Sequence, residues 1–446
     1  MKYFFTYILI LLSLSKLNSQ WIQVSSLSNA GISPNISVVN SNIVFIAGGP
    51  NSLPFVARST NGGLNFTVLP ANGLNFELYS VWGLDENTIF VGDGGSAGGA
   101  GGNAKVYKTT NAGNNWINIL STGGTSGFIN GIVFSRTNPQ IGIIQSDPPT
   151  GTTYWIAKTT NGGINWIIDN PMASGAAAAQ NSVIIIDQNF YGFGLNQSPA
   201  RVGLTTNGGF SWSYIPLVGL SGSSSFISGF AFNTDKIHGL ASNNTTLNSI
   251  SRTTNGGINW FQQIIPNSSS PSSCNIKYVP GTNICYIILG GASGSQCFKS
   301  TNNGANWTTL TMPPNINISH FDLVKTGNFI TAYAVSNTGI VLKLTDNITS
   351  VEEYKPYIIS EYKLSQNFPN PFNPSTNINY SVYKPGWVRI TVYNILGERV
   401  SVIVDQYKKQ GNYSVLFDSE NLPAGIYFYT MMINGFSETK KMIINK

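Results

Sequence analysis

One short phrase recurs along most of this chain and limits what the chain can fold into. Its clearest copy is Thr159-Thr160-Asn161-Gly162-Gly163-Ile164-Asn165-Trp166. The asparagine of this phrase recurs at six positions: Asn61, Asn111, Asn161, Asn207, Asn255 and Asn302. Successive copies are 50, 50, 46, 48 and 47 residues apart. Repeats of about 40 to 50 residues that contain short β-type segments are typical of β-propellers, with one blade for each repeat.

The repeated phrase has the composition of a tight β-hairpin. A glycine stands two residues after each asparagine: Gly63, Gly113, Gly163, Gly209, Gly257 and Gly304. An aromatic residue stands five residues after it: Phe66, Trp116, Trp166, Trp212, Trp260 and Trp307. Glycine adopts positive φ at no steric cost, while asparagine tolerates left-handed φ and can hydrogen-bond to its own turn. The residue between them varies, so we expect the strict backbone requirement at the glycine, in the turn between two antiparallel strands.

A seventh copy of the phrase is degenerate. Lys343 to Asn347 repeat its start, with Asp346 44 residues after Asn302, but no aromatic residue follows. The missing aromatic strand is found at the other end of the chain, beginning with Trp21. We therefore predict an all-β protein in which residues 20–348 form a seven-bladed propeller of four-stranded antiparallel blades. In this arrangement the N-terminal strand completes blade 7 and removes two exposed sheet edges.

This pattern resembles the Asp-box, or bacterial neuraminidase repeat, with asparagine where aspartate is usual. It is more similar to the seven-bladed propellers of the photosystem II assembly-factor type. The resemblance covers about residues 21 to 348. It implies architecture and says little about function, because in those families the repeated box is a structural turn, usually on the face opposite the active site.

The predicted blades leave their long connections on one face. Each repeat holds two apolar runs joined by a short polar turn, as in Leu78 to Trp82 and Thr88 to Val91. In a four-stranded blade this turn lies on the same face as the repeated hairpin. The opposite face then carries the long loops, such as residues 92–103, 145–153 and 171–180. Because binding residues usually lie on loops held by a rigid scaffold, we expect function on this long-loop face.

Two aromatic residues are candidates for contact with a ligand on that face. Tyr154 and Trp155 directly follow the loop of residues 145–153, where an exposed ring could stack on a sugar or on a partner's side chain. Packing between blades is the alternative role for both. Trp82 lies within an apolar run and is expected in the core.

Hydrolysis of a glycan is the enzymatic alternative. Sialidases need three arginines around a carboxylate, but Arg58 and Arg252 occupy a position of the repeat, which leaves only Arg136 and Arg201 in the propeller. A sialidase site is therefore not expected. Other glycosidases need two carboxylates, for which Asp93, Asp147 and Asp169 are candidates because they lie in or beside long loops. Asx turns in glycine- and proline-rich loops are the simpler role for these three aspartates.

The sequence predicts no metal site and no cofactor. The two histidines, His238 and His320, fall in different blades without neighbouring ligands. The loop of residues 92–103 has one acidic residue, where a calcium cage needs several. Its glycines precede a strand rather than a helix and follow no phosphate-binding pattern.

Charge and the N-terminus indicate export rather than nucleic-acid binding. Residues 1–19 open with Lys2, continue with an apolar run and end in small polar residues, which is typical of a signal peptide, and we find no other membrane segment. The net charge of +6 is spread along the chain, with 12 basic and 10 acidic residues in 21–348, so nucleic acid is not an expected partner.

The three cysteines, Cys274, Cys285 and Cys297, lie in one predicted blade. Export would permit a disulfide, but hairpin register places no two of them directly opposite. Small buried hydrophobic side chains are the alternative.

A different domain follows residue 348. A linker, residues 349–361, leads to alternating β-type segments in residues 362–446, spaced as in a small immunoglobulin-like β-sandwich. These residues resemble the type A sorting domain of the type IX secretion system. The matching residues include Asn367, Pro369, Asn370, Pro371, Gly397, Gly425, Tyr427 and Lys441. The resemblance implies export across both membranes, recognition of the domain by the secretion machinery, and release or attachment at the cell surface.

The function that follows is a secreted or surface-displayed propeller, acting as a monomer, that binds a protein or glycan and catalyses no reaction. A hydrolase that uses loop carboxylates and a passive surface or matrix spacer are the two alternatives.

Overall fold

In the computed structural model the chain forms two compact units, divided after residue 353. The structure describes residues 20–31, 33–169, 178–220, 226–246, 248–268, 273–291, 293–348, 362–419 and 422–445. The predicted signal peptide, the linker and part of the 171–180 loop lie outside these residues.

The first unit is built from seven four-stranded antiparallel sheets, as the repeat predicts. Blade 1 contains Asn35–Val38 (β2), Val44–Gly48 (β3), Phe55–Ser59 (β4) and Thr67–Val68 (β5). Blade 2 contains Leu78–Gly83 (β6), Ile89–Asp93 (β7), Lys105–Thr109 (β8) and Ile117–Ser121 (β9), with a 3-10 turn at Ala97–Gly99. Blade 3 contains Ile129–Phe134 (β10), Gly142–Ser146 (β11), Trp155–Thr159 (β12) and Ile167–Asp169 (β13).

The remaining blades follow the same plan. Blade 4 contains Ala178–Ile185 (β14), Tyr191–Leu195 (β15), Arg201–Thr205 (β16) and Ser213–Pro216 (β17). Blade 5 contains Gly229–Phe232 (β18), Gly239–Ser242 (β19), Ser249–Thr253 (β20) and Phe261–Ile264 (β21). Blade 6 contains Ser273–Tyr278 (β22), Cys285–Gly290 (β23), Gln296–Ser300 (β24) and Thr308–Leu310 (β25). Blade 7 contains Ile318–Thr326 (β26), Phe329–Ser336 (β27), Ile340–Asn347 (β28) and the N-terminal Ile22–Ser26 (β1).

The N-terminal strand closes the ring, as predicted. β1 pairs antiparallel with β28, with Ile22 opposite Lys343. Trp21, just before β1, is fully buried in the core of blade 7 and meets Phe321 edge to face, with ring centroids 6.4 Å apart. The first strands of neighbouring blades contact one another around the whole ring, including β2 of blade 1 against β26 of blade 7. The propeller is therefore closed by main-chain hydrogen bonds and by one buried tryptophan.

The repeated phrase forms a turn held by its own side chains. In blade 3 the hydroxyl of Thr159 donates to Asn161 Oδ1 at 3.0 Å and accepts from the amide of Gly163 at 3.0 Å. Asn161 Oδ1 also accepts from the amide of Asn165 at 3.0 Å. The asparagine thus hydrogen-bonds to its own turn, as expected, but it does not have positive φ: the two residues after it do, with φ of 67° and 73° at Gly162 and Gly163.

The later glycine has a second reason to be invariant among the copies. A Cβ at Gly163 would lie 2.5 Å from Phe90 of the preceding blade, and one at Gly304 would lie 2.7 Å from Leu240 of its preceding blade. Ala112 and Asn303 tolerate positive φ at the earlier position, where no such contact stands in the way. The glycine therefore serves both the turn and the packing between blades.

In six of the seven blades a basic residue stands at the repeat position of Lys158, and it links neighbouring blades. Lys158 Nζ donates to the carbonyl of Gly208 at 2.6 Å, and Arg252 Nε donates to that of Asn303 at 2.8 Å. Lys343 Nζ reaches the carbonyl of Gly62 at 3.4 Å, which crosses the closing seam from blade 7 to blade 1. These cations therefore satisfy main-chain carbonyls in the next turn around the ring.

The seventh copy is not a turn. Asp346 lies within β28, opposite Ile330 of β27. Its buried carboxylate accepts from Tyr286 at 2.5 Å and pairs with Lys299 Nζ at 2.5 Å. Because the N-terminal strand supplies the fourth strand from elsewhere in the chain, no hairpin is needed here, and the aspartate side chain takes the acceptor role that a turn carbonyl has in other blades.

The three cysteines are free and buried. Cys274, Cys285 and Cys297 face Leu289, Ser300 and Ile288 across their sheet, so no two are directly paired. Of the two roles considered for them, the structure shows small buried side chains.

The second unit has two sheets. One contains Lys363–Leu364 (β29), Ser375–Val382 (β30) and Gly411–Asp418 (β33). The other contains Gly386–Tyr393 (β31), Arg399–Lys408 (β32), Gly425–Ile433 (β34) and Phe436–Ile444 (β35). Their inward side chains share one apolar core, which confirms the predicted β-sandwich. No helix in the described part of the chain is long and apolar enough to cross a membrane.

Trp21→Ala is expected to lower the free energy of unfolding by about 3–5 kcal/mol, because it removes a large buried side chain from the closing blade. Ile22→Ala is the matched control: Ile22 lies in the same short segment but is 51 % exposed, so its loss should cost less than about 1 kcal/mol. Urea denaturation of both variants measures the difference. Equal stabilities would contradict closure by the N-terminal strand.

Candidate functional site: the central channel

The first strands of the seven blades surround a central channel. One end lies at the start of these strands, on the long-loop face. The other end lies on the face of the repeated turns, hereafter the turn face. A hydrogen bond from the amide of Gly162 to the carbonyl of Gln140 at 2.9 Å ties the repeated turn of blade 3 to the turn between its first two strands. Equivalent bonds, such as Gly62 to Asn42 at 3.0 Å, confirm that both kinds of turn share one face.

The channel opens on the long-loop face into a cavity of about 450 Å³. Its wall combines amides and hydroxyls with two aromatic rings, Phe128 and Phe226. The polar residues of the wall come from blades 3 to 7: Asn130, Gln180, Asn181, Ser228, Ser273, Asn275 and Ser319. Asp147 is the one carboxylate among the described lining residues. This mouth is thus polar, nearly uncharged and partly aromatic.

Several of these amides are fixed by hydrogen bonds between blades. Asn35 Nδ2 and Gln180 Nε2 both donate to the carbonyl of Tyr79, at 3.0 and 2.8 Å. Asn35 also donates to Asn181 Oδ1, and Asn275 Nδ2 donates to the carbonyl of Ser319 at 3.1 Å. The polar groups of the mouth are therefore held in place before any ligand arrives.

Burial raises the pKa of Asp147 to about 6. Two donors hold its Oδ1 and oppose the shift: the amide of Ala178 and Asn130 Nδ2, each at 2.7 Å. Asp147 is therefore the titratable carboxylate of the mouth, and its protonation changes near pH 6.

Deeper in the channel, a charged cluster joins blades 1, 3, 6 and 7. Asp322 Oδ2 pairs with Arg136 and accepts from the amide of Val38 at 2.8 Å. Arg136 Nη1 donates to the carbonyl of Val38 at 2.8 Å, and its guanidinium lies over the Trp82 ring, 4.3 Å from the centroid. Lys277 lies beside this pair in the channel wall.

The charges in the cluster are strongly coupled. Burial alone would raise the pKa of Asp322, but the charges on Arg136 and Lys277 outweigh it and leave that pKa below its ordinary value. Burial lowers the pKa of Lys277, and Arg136 lowers it further, against the attraction of Asp322. Burial, with the charge of Lys277, lowers the pKa of His320 to about 3, so this imidazole is neutral. Its Nδ1 accepts from the amide of Ile36 at 3.3 Å.

The structure does not bring the three candidate aspartates together. Asp93 is fully buried, and its side chain accepts hydrogen bonds from the amides of Gly95 and Lys105, at 3.0 and 2.8 Å. It therefore joins the two ends of its loop. Asp169 lies beside the repeated turn of blade 4: the Tyr191 hydroxyl donates to it at 3.3 Å, and a Cβ on Gly209 would lie 2.1 Å from it. Only Asp147 lines the mouth.

Tyr154 and Trp155 are not on the surface. Their exposed fractions are 0 % and 5 %, and Tyr154 packs edge to face on Phe193 of the next blade, with centroids 4.9 Å apart. The role in packing between blades is therefore the one that the structure shows, and the expected ligand-facing position is corrected. Trp82 is also largely buried, although its ring reaches the channel.

Reasoning from sequence did not find the charged cluster, although signals were present. Lys277 and Asp322 each interrupt an apolar run in a first strand, and Arg136 is one of two propeller arginines outside the repeat position. Their proximity depends on ring closure and on contacts between residues up to 284 positions apart. No group of three or more metal-ligating side chains occurs within the described ranges.

Asp147→Asn is expected to raise the free energy of unfolding at pH 8 by up to about 3 kcal/mol and to leave it nearly unchanged at pH 4. The folded protein binds the proton more tightly than the unfolded chain, so the wild type loses stability as pH rises from 3.8 to about 6. Asparagine keeps an Oδ1 acceptor for both donors and has no charge to bury.

The matched control is Asp85→Asn, an exposed aspartate whose Oδ1 also accepts two backbone amides. Urea denaturation across this pH range should show the wild-type pH dependence in the control. Parallel curves for Asp147→Asn and the wild type would show that Asp147 is not the group that titrates.

Comparison with known protein families agrees with the second unit. Residues 366–445 match the family described as the secretion system C-terminal sorting domain. YCF48 from Cyanidioschyzon merolae is similar in structure, with 14% identity and a TM-score of 0.48, over 73% of this chain and 98% of that one. A YCF48 bound to D1 peptide has 15% identity and a TM-score of 0.41, over 68% and 87% of the two chains. No curated protein matches in sequence. The chain is a seven-bladed β-propeller followed by a type IX secretion sorting domain.

Proposed function

We propose that the propeller is a non-catalytic binding module that acts outside the cell and binds an uncharged polar ligand, of which a glycan is the best fit, at the long-loop mouth of its channel. The sorting domain at residues 366–445 indicates a secreted or cell-surface protein. Residues 1–19 are then the signal for the first membrane and residues 362–446 the signal for the second.

The composition of the mouth is the observation that carries this proposal. Sugars present hydroxyls, which amides can both donate to and accept from, and apolar ring faces, which stack on aromatic side chains. Asn130, Gln180 and Asn275 supply amides, while Phe128 and Phe226 supply rings, around one cavity. The hydrogen bonds between these amides and neighbouring blades reduce the entropic cost of ordering them on binding.

Catalysis at this mouth has less support. Glycosidases generally use two carboxylates about 5 to 10 Å apart, and the described wall of the mouth has only Asp147. Asp93 and Asp169 are engaged in other parts of the blades. The spacer alternative is opposed by the preorganised polar cavity, which a passive element does not need.

Binding is tested with a glycan array probed with the chain from residue 20 to 446. Phe226→Ala is expected to weaken binding of any retained glycan by up to about tenfold, because stacking of an aromatic ring contributes about 0.5–1.5 kcal/mol. The control is Phe329→Ala, an exposed phenylalanine at the start of β27, next to the turn that follows β26 on the turn face. Equal loss in both variants, or no retained glycan, would contradict the proposal.

The same glycans serve to test for hydrolysis. We expect no products from the wild type. Hydrolysis that disappears in the triple variant Asp93→Asn, Asp147→Asn and Asp169→Asn would establish the hydrolase alternative.

Deletion of residues 362–446 is expected to leave the propeller in the periplasm, because the recognition signal for the outer membrane is removed. Immunoblots of periplasmic, surface and medium fractions measure the distribution. The propeller has its own core and closes without the second unit, so loss of the protein through misfolding is not expected. Truncated protein in the medium at the wild-type level would refute the sorting role.

A further inference from the structure

The channel contains a second cavity, of about 110 Å³, toward the turn face. Turn residues Thr137, Thr234 and Pro280 stand at its rim, and Arg136, Lys277 and Asp322 are in its wall. The rest of the wall is largely apolar, with Phe134, Phe230 and Ile276 among its residues. This cavity is smaller than the ~300 Å³ of ordinary ligand pockets and is closer to the ~150 Å³ of an apolar cavity that holds benzene. It therefore admits only a small molecule, with an apolar body of about that size.

The charges in this wall do not balance. Asp322 is paired with Arg136 through Oδ2, and His320 is neutral. No hydrogen bond links Lys277 to another residue that the structure describes, although the charge of Asp322 attracts its ammonium. The cluster of Arg136, Lys277 and Asp322 therefore has a net charge of +1 when Lys277 is protonated. Lys277 is half-buried in this wall, and a partly desolvated ammonium whose nearest carboxylate is already paired is stabilised by an anion of single charge.

Arg136 also has donors to spare. Two of its five N–H groups are directed at the carbonyl of Val38 and at Asp322. The guanidinium is fixed between these acceptors and the Trp82 ring, while the side chain remains 26% exposed. A fixed, partly accessible guanidinium is suited to binding a carboxylate.

We propose that this cavity binds a small monocarboxylate with an apolar body, whose carboxylate lies between Lys277 and Arg136 and whose body packs against Phe134, Phe230 and Ile276. A dianion such as inorganic phosphate fits less well, because it would leave excess negative charge among apolar side chains. This site is separate from the long-loop mouth and does not depend on glycan binding there.

Isothermal titration of the chain from residue 20 to 446 with benzoate and isovalerate tests the proposal. Saturable binding is expected for at least one of them, and it should be at least about tenfold weaker for benzamide, the neutral analogue, and for inorganic phosphate. Absence of saturable binding for both carboxylates would overturn the proposal and leave the cluster as a purely structural link between blades.

Lys277→Met removes the charge but keeps most of the side-chain volume, so it is expected to fold and to bind at least about tenfold more weakly. Lys277→Arg should retain binding better than Lys277→Met, and circular dichroism establishes that each variant is folded. The matched control is Lys325→Met, which lies in an adjoining groove toward the turn face but not in this wall, and should leave the affinity within about twofold. Equal affinities for Lys277→Met and the wild type would refute the assignment.

Discussion

The pairing of β1 with β28 is the contact on which the rest of the propeller depends. The other three strands of blade 7 are consecutive in the chain, but the fourth comes from the opposite end of the propeller sequence. Without it, β28 would present a free edge and the core around Phe321 and Leu344 would lose Trp21. Closure also places β26 beside β2, and this contact brings Asp322 to the amide of Val38. The channel and its charged cluster therefore exist only in the closed ring.

The repeated phrase does more than reverse the chain. Its hydroxyl and asparagine side chains hydrogen-bond to each other and hold the turn. Its later glycine leaves room for side chains of the preceding blade, and the basic residue before it donates a hydrogen bond to the next turn. The same few residues thus specify both the hairpin and the spacing of blades. Blade 4 is an exception, because Leu204 stands where the other blades have a cation and packs near Gly257 of blade 5 instead.

The fold was predictable because its determinants are local and repeated. The repeat period, the residues of the turn and the displaced aromatic strand predicted the number of blades and the closure of the ring. The pattern from Asn367 to Lys441 predicted the sorting domain, and the family match confirms that domain. The requirement for glycine two residues after each asparagine is confirmed by the positive φ at Gly163. The interpretation of the segment around Asp346 as a seventh turn was wrong, because a strand from the N-terminus replaces the missing hairpin there.

The candidate site was much less predictable, because its residues meet only across the ring. Tyr154, Trp155 and Asp93 lie next to long loops in sequence, yet all three side chains are buried. The two aromatic rings pack in the core between blades, and Asp93 accepts hydrogen bonds from main-chain amides of its own loop. Arg136, Lys277 and Asp322 come from three blades and share no spacing in the sequence. They are recognised only in the assembled channel, where they lie together in one cavity wall and two of them form an ion pair.

Closure by the first strand is tested most directly by a disulfide across the seam. Ile22 and Lys343 are opposite each other in the sheet, so Ile22→Cys with Lys343→Cys should crosslink under mild oxidation. The three native cysteines are buried and free and should not compete. Gln23→Cys with Lys343→Cys is the control, because adjacent residues of a strand point to opposite faces. Efficient crosslinking of the first pair alone is the predicted result, and no crosslink, or equal crosslinking of both pairs, would contradict the closed ring.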